Sequence, residues 1–468
     1  MSRQFTLEDE VTFRDRIPTV NAKGKRNWIY AWQPVGKLHN WRSVLSVIYL
    51  VLFFSLPFIR INGNPALQLN VVEGKFSILG MLFWPQDFFI FGLGMITFIV
   101  FIVLFTMIYG RVFCGWACPQ TIFMEMVFRK LEGWIEGNPN AQRARNQGPW
   151  NTDKIWRKTA KHISFFLLSF IIANTFLAYI IGAPALLDII RSPISENLSG
   201  FVAILFFTGA FYGVYAYVRE IVCTVICPYG RLQGVLLDKH SIVVAYDYNR
   251  GEPRGKGKRP AAGVGDCIDC NQCVVVCPTG IDIRNGTQLE CINCTACIDA
   301  CNHVMDKVGL PRGLVRFASD NQLKNKIPFA FTQKMKVYSA ILLLLIGAMS
   351  FMLLTRTDVG LNISRVQGQL YQEVGADSLS NLYSISAINK SQKDKVLMLK
   401  IGGLPASVKM IGANSLLVHK ESQAKATFFV TLPKRAIAGR ETSLKIEVLE
   451  NGRKIETLST SFLGYVVQ

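Results

Sequence analysis

Eight cysteines near the middle of the 468-residue chain repeat one spacing twice. Each copy reads C-x2-C-x2-C-x3-C; Pro278 follows the first copy and Asn302 follows the second. The two copies are formed by Cys267, Cys270, Cys273 and Cys277, and by Cys291, Cys294, Cys297 and Cys301. This spacing wraps three thiolates around one face of an iron–sulfur cubane and directs the fourth cysteine to a second cluster.

The spacing therefore predicts two [4Fe–4S] clusters of the bacterial ferredoxin type with crossed ligands. The predicted ligands of the first cluster are Cys267, Cys270, Cys273 and Cys301, and those of the second are Cys291, Cys294, Cys297 and Cys277. Structural zinc sites are usually formed by two separated cysteine pairs and not by four cysteines in one run, so the spacing favours iron–sulfur clusters over zinc. The absence of a proline after Cys301 is expected to loosen the local geometry without threatening ligation.

Long apolar runs alternate with basic stretches along the chain. Half of the residues are hydrophobic although 51 are Lys or Arg, and a bilayer-spanning helix needs about 20 apolar residues. The candidate spans are residues 44–59, 88–109, 163–181, 201–218 and 337–354. The first forty residues are polar and basic, so we expect no cleaved secretory signal peptide.

Lys and Arg are unevenly distributed among the loops between these spans. The segment before the first span holds eight, the loop 110–161 holds nine and the loop 219–336 holds sixteen, whereas 60–86 and 183–199 hold two and one. Basic loops stay in the cytoplasm. This predicts a multi-pass membrane protein with a cytoplasmic N-terminus, cytoplasmic cysteines and a C-terminal part on the other side of the membrane. Basic loops also explain the net charge of +19 without nucleic acid as a partner.

Four further cysteines stand where the second and fourth spans end. They form two C-x3-C-P motifs, Cys114 with Cys118 and Cys223 with Cys227. On a helix, residues i and i+4 share one face, so each pair is expected to direct two thiols to one place. The recurrence predicts a pseudo-symmetric four-thiol site. It could bind a soft metal such as Cu(I), act as a redox dithiol, or consist of small buried residues at helix ends.

The chain beyond about residue 362 changes to a two-residue hydrophobic period. Alternating runs occur at residues 378–388, 395–401, 425–432, 443–449 and 454–458. Asn451-Gly452 between the last two is typical of a hairpin turn. These short strands predict a small β-sandwich, which we interpret as a docking or spacer module because it has no cysteine.

The predicted organisation is therefore multi-domain. An α-helical membrane domain of five spans contains an inserted 2[4Fe–4S] ferredoxin-like α+β domain and is followed by an all-β immunoglobulin-like sandwich. The predicted parts are a cytoplasmic segment (1–42), a four-helix membrane domain with both C-x3-C-P motifs (43–239), the ferredoxin-like domain (240–336), the fifth transmembrane helix (337–355) and the periplasmic sandwich (356–468).

This order of parts resembles the cytochrome c oxidase accessory protein family CcoG, also called FixG or RdxA, over the whole chain. The resemblance implies a cupric reductase that converts Cu(II) to Cu(I) during maturation of cbb3-type cytochrome c oxidase. It also implies a copper-transporting P-type ATPase and oxidase assembly factors as partners. The electron donor is not indicated.

The function we expect from the residues and the resemblance together is an oxidoreductase with copper as its substrate and Cys114, Cys118, Cys223 and Cys227 as its catalytic residues. A second hypothesis is a quinol-linked electron-transfer subunit that delivers electrons to another redox enzyme. A third is a non-enzymatic assembly scaffold whose clusters are structural or sense redox state.

Overall fold

The apolar runs form helices, the conformation in which a single segment satisfies all of its own backbone hydrogen bonds inside a bilayer. In a computed structural model of the chain, five helices among the residues that it describes are long and apolar enough to cross a membrane. They are called here the first to fifth long helices and comprise Lys37–Ser55, Phe88–Tyr109, Thr152–Ile181, Leu198–Val218 and Gln333–Leu354. The five predicted spans are thus confirmed as helices, and the first and third begin well before their apolar runs.

The structure describes residues 19–20 and 25–464, apart from 62, 72–73, 85–86, 256–262, 367, 369, 376, 392 and 413. Most of the predicted segment 1–42 before residue 25 and the last four residues of the predicted sandwich therefore lie outside the described residues. The chain divides into two units. One comprises Met1–Ile59, Leu67–Val72 and Phe91–Met349, and the other comprises Arg60–Ala66, Glu73–Ile90 and Ser350–Gln468.

The first unit contains the long helices and a series of short ones whose ends are set by local sequence. Asn151 caps the third long helix by accepting a hydrogen bond from the backbone N–H of Lys154 at 2.8 Å, which satisfies one of its free N–H groups. Gly182 ends that helix with φ of 89°. The short helices of the membrane part are Val112–Trp116, Pro119–Thr121, Ile122–Phe128 (π-helical), Arg129–Glu136, Pro139–Gln147, Ala183–Arg191, Val222–Ile226 (π-helical) and Pro228–Leu236; the last turn of the fourth long helix, Val214–Val218, is π-helical too.

The cysteine-rich insert folds as an α+β domain around one antiparallel strand pair. Val243–Tyr246 pairs with Val315–Ala318, and the helix Ala296–Val308 lies between them in sequence. Ile281, Ile283, Met305 and Leu314 are buried with the cysteines in its core. Its remaining helices are Tyr248–Gly251, Gln272–Val275, Ile283–Asn285 (3₁₀) and Asp320–Lys324. The predicted ferredoxin-like α+β class is confirmed.

Among its described residues, the second unit is all-β apart from helix ends and short 3₁₀ turns such as Lys434–Ala436. Two antiparallel sheets form its larger part. The five-stranded sheet orders Ser407–Met410, Gln423–Pro433, Ser378–Asn389 and Val359–Arg365, with Gln372–Val374 also pairing with Ser378–Asn389. The four-stranded sheet orders Leu416–Val418, Lys395–Gly402, Glu441–Glu450 and Arg453–Leu463. The short strands Arg60–Ile61, Asn64–Pro65, Lys75–Ile78 and Met81–Phe83 form two further antiparallel pairs, and Leu67–Asn70 is a strand in the first unit.

The two larger sheets enclose one hydrophobic core. Tyr383 and Phe428 stack with their ring centroids 5.6 Å apart and are fully buried. The Tyr383 hydroxyl donates to the carbonyl oxygen of Ser461 at 2.8 Å, which ties the five-stranded sheet to the four-stranded one. Asn451 and Gly452 have φ of 50° and 80° in the predicted hairpin turn, the conformation that favours this dipeptide. The predicted β-sandwich is confirmed.

Candidate functional site

The first predicted ligand set surrounds a single cavity. Cys267, Cys270, Cys273 and Cys301 all line it, together with Tyr246 and Leu314. The helix Gln272–Val275 carries Cys273, whereas Cys301 arrives from the helix Ala296–Val308. The fold thus brings the last cysteine of the second copy to the first three of the first copy, as the crossed pattern requires.

The second predicted set lines another cavity. Cys277, Cys291, Cys294 and Cys297 form its wall, and Cys273 contributes to both cavities. Within the part of the chain that the structure describes, no three His, Cys, Asp or Glu side chains converge closely enough for a single metal ion. Each cavity instead has four thiols arranged around a larger volume.

The backbone between the cysteines adopts left-handed conformations at matching positions of the two copies. Asp269 and Asn271 have φ of 52° and 56°, and Asn293 and Thr295 have φ of 51° and 66°. Alternation of right- and left-handed residues turns successive N–H groups toward one concavity that binds anions. A four-thiolate cluster is an anion, so the residues present fit two such groups.

The local backbone explains why Asn302 follows Cys301 where Pro278 follows Cys277. The helix Ala296–Val308 continues through Asn302, whereas the helix Gln272–Val275 has ended before Pro278. Proline inside a helix would remove a hydrogen bond and clash with the preceding turn. The Asn302 side chain also accepts a hydrogen bond from the backbone N–H of Gly313 at 2.9 Å. The expectation of looser geometry at this position is therefore wrong.

The first C-x3-C-P motif is not one continuous helix. Cys114 lies in the helix Val112–Trp116, but Cys118 is extended, with ψ of 127°, and Pro119 begins the next helix. Proline disfavours the helical conformation at the residue before it and is suited to a first helical position. The predicted placement of both thiols on one helix face by i, i+4 spacing is therefore wrong.

The second motif repeats this geometry at a constant offset of 109 residues. Cys223 lies in the π-helical turn Val222–Ile226, and Cys227 is extended before Pro228. The N–H of Cys118 bonds the carbonyl five residues back at 2.9 Å, and the N–H of Cys227 does the same at 2.8 Å. The two motifs are thus structurally equivalent, and the internal repeat inferred from sequence extends to backbone hydrogen bonds.

The four thiols occupy one largely buried neighbourhood. Burial raises the pKa of Cys114 to about 11 and the pKa of Cys223 to about 12, and the neighbouring thiols Cys118 and Cys227 raise the pKa of Cys114 further. The Cys114 thiol donates to Oε1 of Gln233 at 2.9 Å. Without a bound cation the Cys114 and Cys223 thiols are protonated at neutral pH, and a metal ion would have to displace their protons.

The first motif packs directly on the second ligand set. A Cβ atom added to Gly115 would lie 2.8 Å from Cα and 2.9 Å from N of Cys294, and closer still to the carbonyl oxygen of Ile292. Cys114, Ile292 and Cys294 belong to one buried cluster, against which Cys223 and Cys297 also pack. The C-x3-C-P thiols and the second ligand set are therefore in one packed region.

A buried ion-pair network lies beside the second motif, and sequence reasoning did not identify it. Arg219 is fully buried and makes a bidentate pair with Glu132 at 2.8 and 3.1 Å. Although burial opposes ionisation, the Arg219 guanidinium lowers the pKa of Glu132 to about 2. Lys161 adds a 3.2 Å contact to Glu132. Arg219 has φ of 57°, an uncommon conformation for a bulky residue, so this pairing fixes the chain just before Cys223.

Comparison with family models agrees with this architecture. A 4Fe-4S dicluster domain model matches residues 218–320, and a 4Fe-4S binding domain model matches residues 91–138. The model described as an IG-like fold at the C-terminal of FixG matches residues 349–465. The molecule is thus a multi-pass membrane iron–sulfur protein with an immunoglobulin-like domain.

Whole-chain comparison specifies the family. The nitrogen fixation protein FixG of Rhizobium meliloti is 30% identical over 90% of each chain. Protein RdxA of Cereibacter sphaeroides is 30% identical over 91% of this chain and 94% of its own. The chain belongs to the FixG/RdxA family, as its sequence resemblance predicted. It is also 25% identical to the Escherichia coli protein named putative electron transport protein YccM, over 44% of this chain and 53% of that protein.

Replacement of Gly115 by alanine is expected to disturb the second ligand set. The added methyl group has no room against the backbone of Cys294, so the insert must shift away from the membrane helices. We expect Gly115→Ala to lose about half of the bound iron, the share of one cluster of two, measured as iron and sulfide per chain after anaerobic purification.

Gly133→Ala is the matched control because nothing lies within 4 Å of a Cβ atom at this helical glycine. It should retain the full iron content. Equal iron in both variants would show that the Gly115 contact does not support the second set.

Replacement of Glu132 by glutamine removes the bidentate partner of the buried Arg219 and leaves only the weaker 3.9 Å contact with Glu220. Loss of one partner of a buried ion pair costs about 3–5 kcal/mol, so Glu132→Gln should lower the thermal unfolding midpoint in detergent. The stabilisation by Glu132 should be complete above pH 4.5 and be lost as pH falls toward 2, since the folded-state pKa is lowered.

Asp306→Asn removes the carboxylate of the exposed Arg312–Asp306 pair, which has N···O contacts of 2.6 and 2.7 Å. Exposed pairs contribute little, so this control should leave the midpoint nearly unchanged. Similar midpoints for the two variants would contradict the role assigned to Glu132.

Proposed function

We propose that the two four-cysteine sets each hold one [4Fe–4S] cluster. Cys267, Cys270, Cys273 and Cys301 would bind the first, and Cys291, Cys294, Cys297 and Cys277 the second. The cavities lined by these sets and the left-handed turns between the cysteines support the assignment. Bound in this way, the clusters supply one-electron transfer.

We propose further that the protein is a cupric reductase whose copper site is formed by Cys114, Cys118, Cys223 and Cys227. The observation that carries this proposal is the direct packing of Gly115 on the backbone of Cys294. Each Cu(II) ion takes up one electron to become Cu(I), so a copper site must lie close to an electron-transfer group. The contact at Gly115 gives the thiols that proximity.

The chemistry of thiols favours the reduced form of copper. Cu(I) is a soft ion that prefers thiolate ligands, and the burial of Cys114 and Cys223 leaves both thiols protonated until a cation binds. Ligation would therefore release protons and stabilise Cu(I) over Cu(II). In this proposal the protein delivers Cu(I) during maturation of a cbb3-type oxidase, with a copper-transporting P-type ATPase and assembly factors as partners.

In the proposed orientation, both cysteine systems lie on the cytoplasmic side of the bacterial inner membrane and the immunoglobulin-like domain lies on its periplasmic side. The excess of Lys and Arg in the loops 110–161 and 219–336 supports it. The cytoplasm is reducing and keeps thiols free of disulfides.

Serine replacement of all four C-x3-C-P cysteines should abolish copper reduction. The thiol ligands would be lost, whereas the eight cluster cysteines would remain. Dithionite-reduced protein, freed of excess reductant, is mixed anaerobically with Cu(II), and Cu(I) is measured with bathocuproine disulfonate. We expect at least a tenfold lower rate with unchanged iron content.

Ile226→Ser is the control because it changes an exposed neighbour of Cys227 without removing a thiol. It should reduce copper at the rate of the unaltered protein. Reduction that survives in the four-serine variant would exclude the proposed copper site and favour an electron carrier that supplies another enzyme.

The orientation can be tested with alkaline phosphatase, which is active only outside the cytoplasm. A fusion at the C-terminus should be active in cells, and a fusion after Lys324 in the cysteine-rich insert should be inactive. The reverse result would contradict the orientation and place the clusters in the periplasm.

A further inference from the structure

Two buried arginines from the membrane part face the second ligand set. Arg42 is 4% exposed. Its Nε donates a hydrogen bond at 2.8 Å to the carbonyl oxygen of Gly115, and Gly115 packs on Cys294. Arg42 also lines a small cavity that shares Pro278 and Ala296 with the cavity of the second set.

Arg111 contacts the same set through the segment that precedes Cys291. It is 3% exposed and donates a hydrogen bond to the carbonyl oxygen of Leu289, two residues before Cys291. Its Nη2 also lies against Gly230, three residues after Cys227. Arg111 therefore lies between the C-x3-C-P thiols and the second ligand set.

Neither guanidinium is neutralised by a direct ion pair. Among the described residues, no carboxylate lies within ion-pair distance of Arg42 or Arg111, and Nη2 of Arg42 and Nε of Arg111 have no hydrogen-bond partner. Glu125 lines the same small cavity as Arg42, but its carboxylate pairs with Arg129 at 2.9 Å. The second set thus has two uncompensated buried cations beside it.

The arginines beside the first set are compensated. Arg284 lines its cavity and pairs with Asp282 and Asp269, each at 2.6 Å. Arg250, the cation that acts on Cys301, pairs with Asp266. Cys270 is exposed to solvent as well, so water also screens charge at the first set.

Net charge near an iron–sulfur site is one of the main determinants of its reduction potential. Reduction adds one negative charge, and an unpaired cation in a low-dielectric region stabilises that charge strongly, whereas a cation already paired with a carboxylate does so weakly. Burial of the second set disfavours the added negative charge and therefore lowers the reduction potential. Two uncompensated guanidinium groups beside the set would offset it.

We infer that Arg42 and Arg111 are positioning residues that raise the reduction potential at the second ligand set above that at the first, and so direct electrons toward the C-x3-C-P thiols. The inference rests on the proposed ligand sets and is independent of whether copper is the final acceptor. It assigns the first, partly exposed set to electron entry and the second to electron exit.

The test is an anaerobic redox titration of the full-length protein in detergent, followed by EPR spectroscopy and iron analysis. The unaltered protein should show two separate midpoint potentials. Arg42→Gln and Arg111→Gln should each lower the higher midpoint by about 59 mV or more, which is a tenfold fall in the ratio of reduced to oxidised cluster at fixed potential. Arg42→Lys and Arg111→Lys retain the charge and should restore most of the shift.

Arg312→Gln is the control, since this exposed arginine of the same domain is paired with Asp306; both midpoints should stay unchanged. A single midpoint in the unaltered protein would overturn the inference even if a glutamine variant failed to fold. A shift of the lower midpoint, equal shifts of both, or failure of lysine to restore the potential would overturn it too. Fewer than eight irons per unaltered chain would instead refute the ligand sets.

Discussion

The close approach of Gly115 to the backbone of Cys294 is the contact on which the arrangement of the redox groups depends. A side chain at residue 115 would separate the membrane helices from the cysteine-rich insert by the width of at least a methyl group. Because residue 115 is glycine, the short helix Val112–Trp116 and the second ligand set share one packed region. Protein interiors transmit small displacements because they are close-packed. The thiols on both sides of the contact are consequently held in fixed relation.

The buried arginines around this contact are of two kinds, those paired with a carboxylate and those without such a pair. Arg219 is buried but paired with Glu132, so it contributes rigidity and little net field. Arg42 and Arg111 are buried, and among the described residues no carboxylate lies within ion-pair distance of either, an arrangement that costs folding free energy. A stabilising role in the fold alone does not account for such a cost, whereas stabilisation of an added electron nearby does.

Sequence patterns predicted the parts of the protein better than their contacts. Cysteine spacing predicted which four cysteines come together around each cavity, and hydropathy predicted the five long helices, since these signals are local. Pro119 could have shown that Cys118 lies outside the helix, because its effect on the preceding residue is also local. The packing of Gly115 and the pairing of Arg219 with Glu132 depend on residues distant in sequence, and no periodicity reports them.

The two C-x3-C-P motifs share a backbone geometry but differ in their surroundings, and this difference gives the four-thiol site a direction. At the position three residues before the first cysteine, the first motif has Arg111 and the second has Glu220. Cys114 is buried against the insert, whereas Ile226 of the second motif is 59% exposed. Glu220 pairs with Arg26 at 2.8 Å and lies next to the buried Arg219, so charge does not distinguish the two motifs. The more open surface at the second motif would admit an ion to the proposed copper site beside Cys227, and electrons from the insert would reach that site beside Cys114.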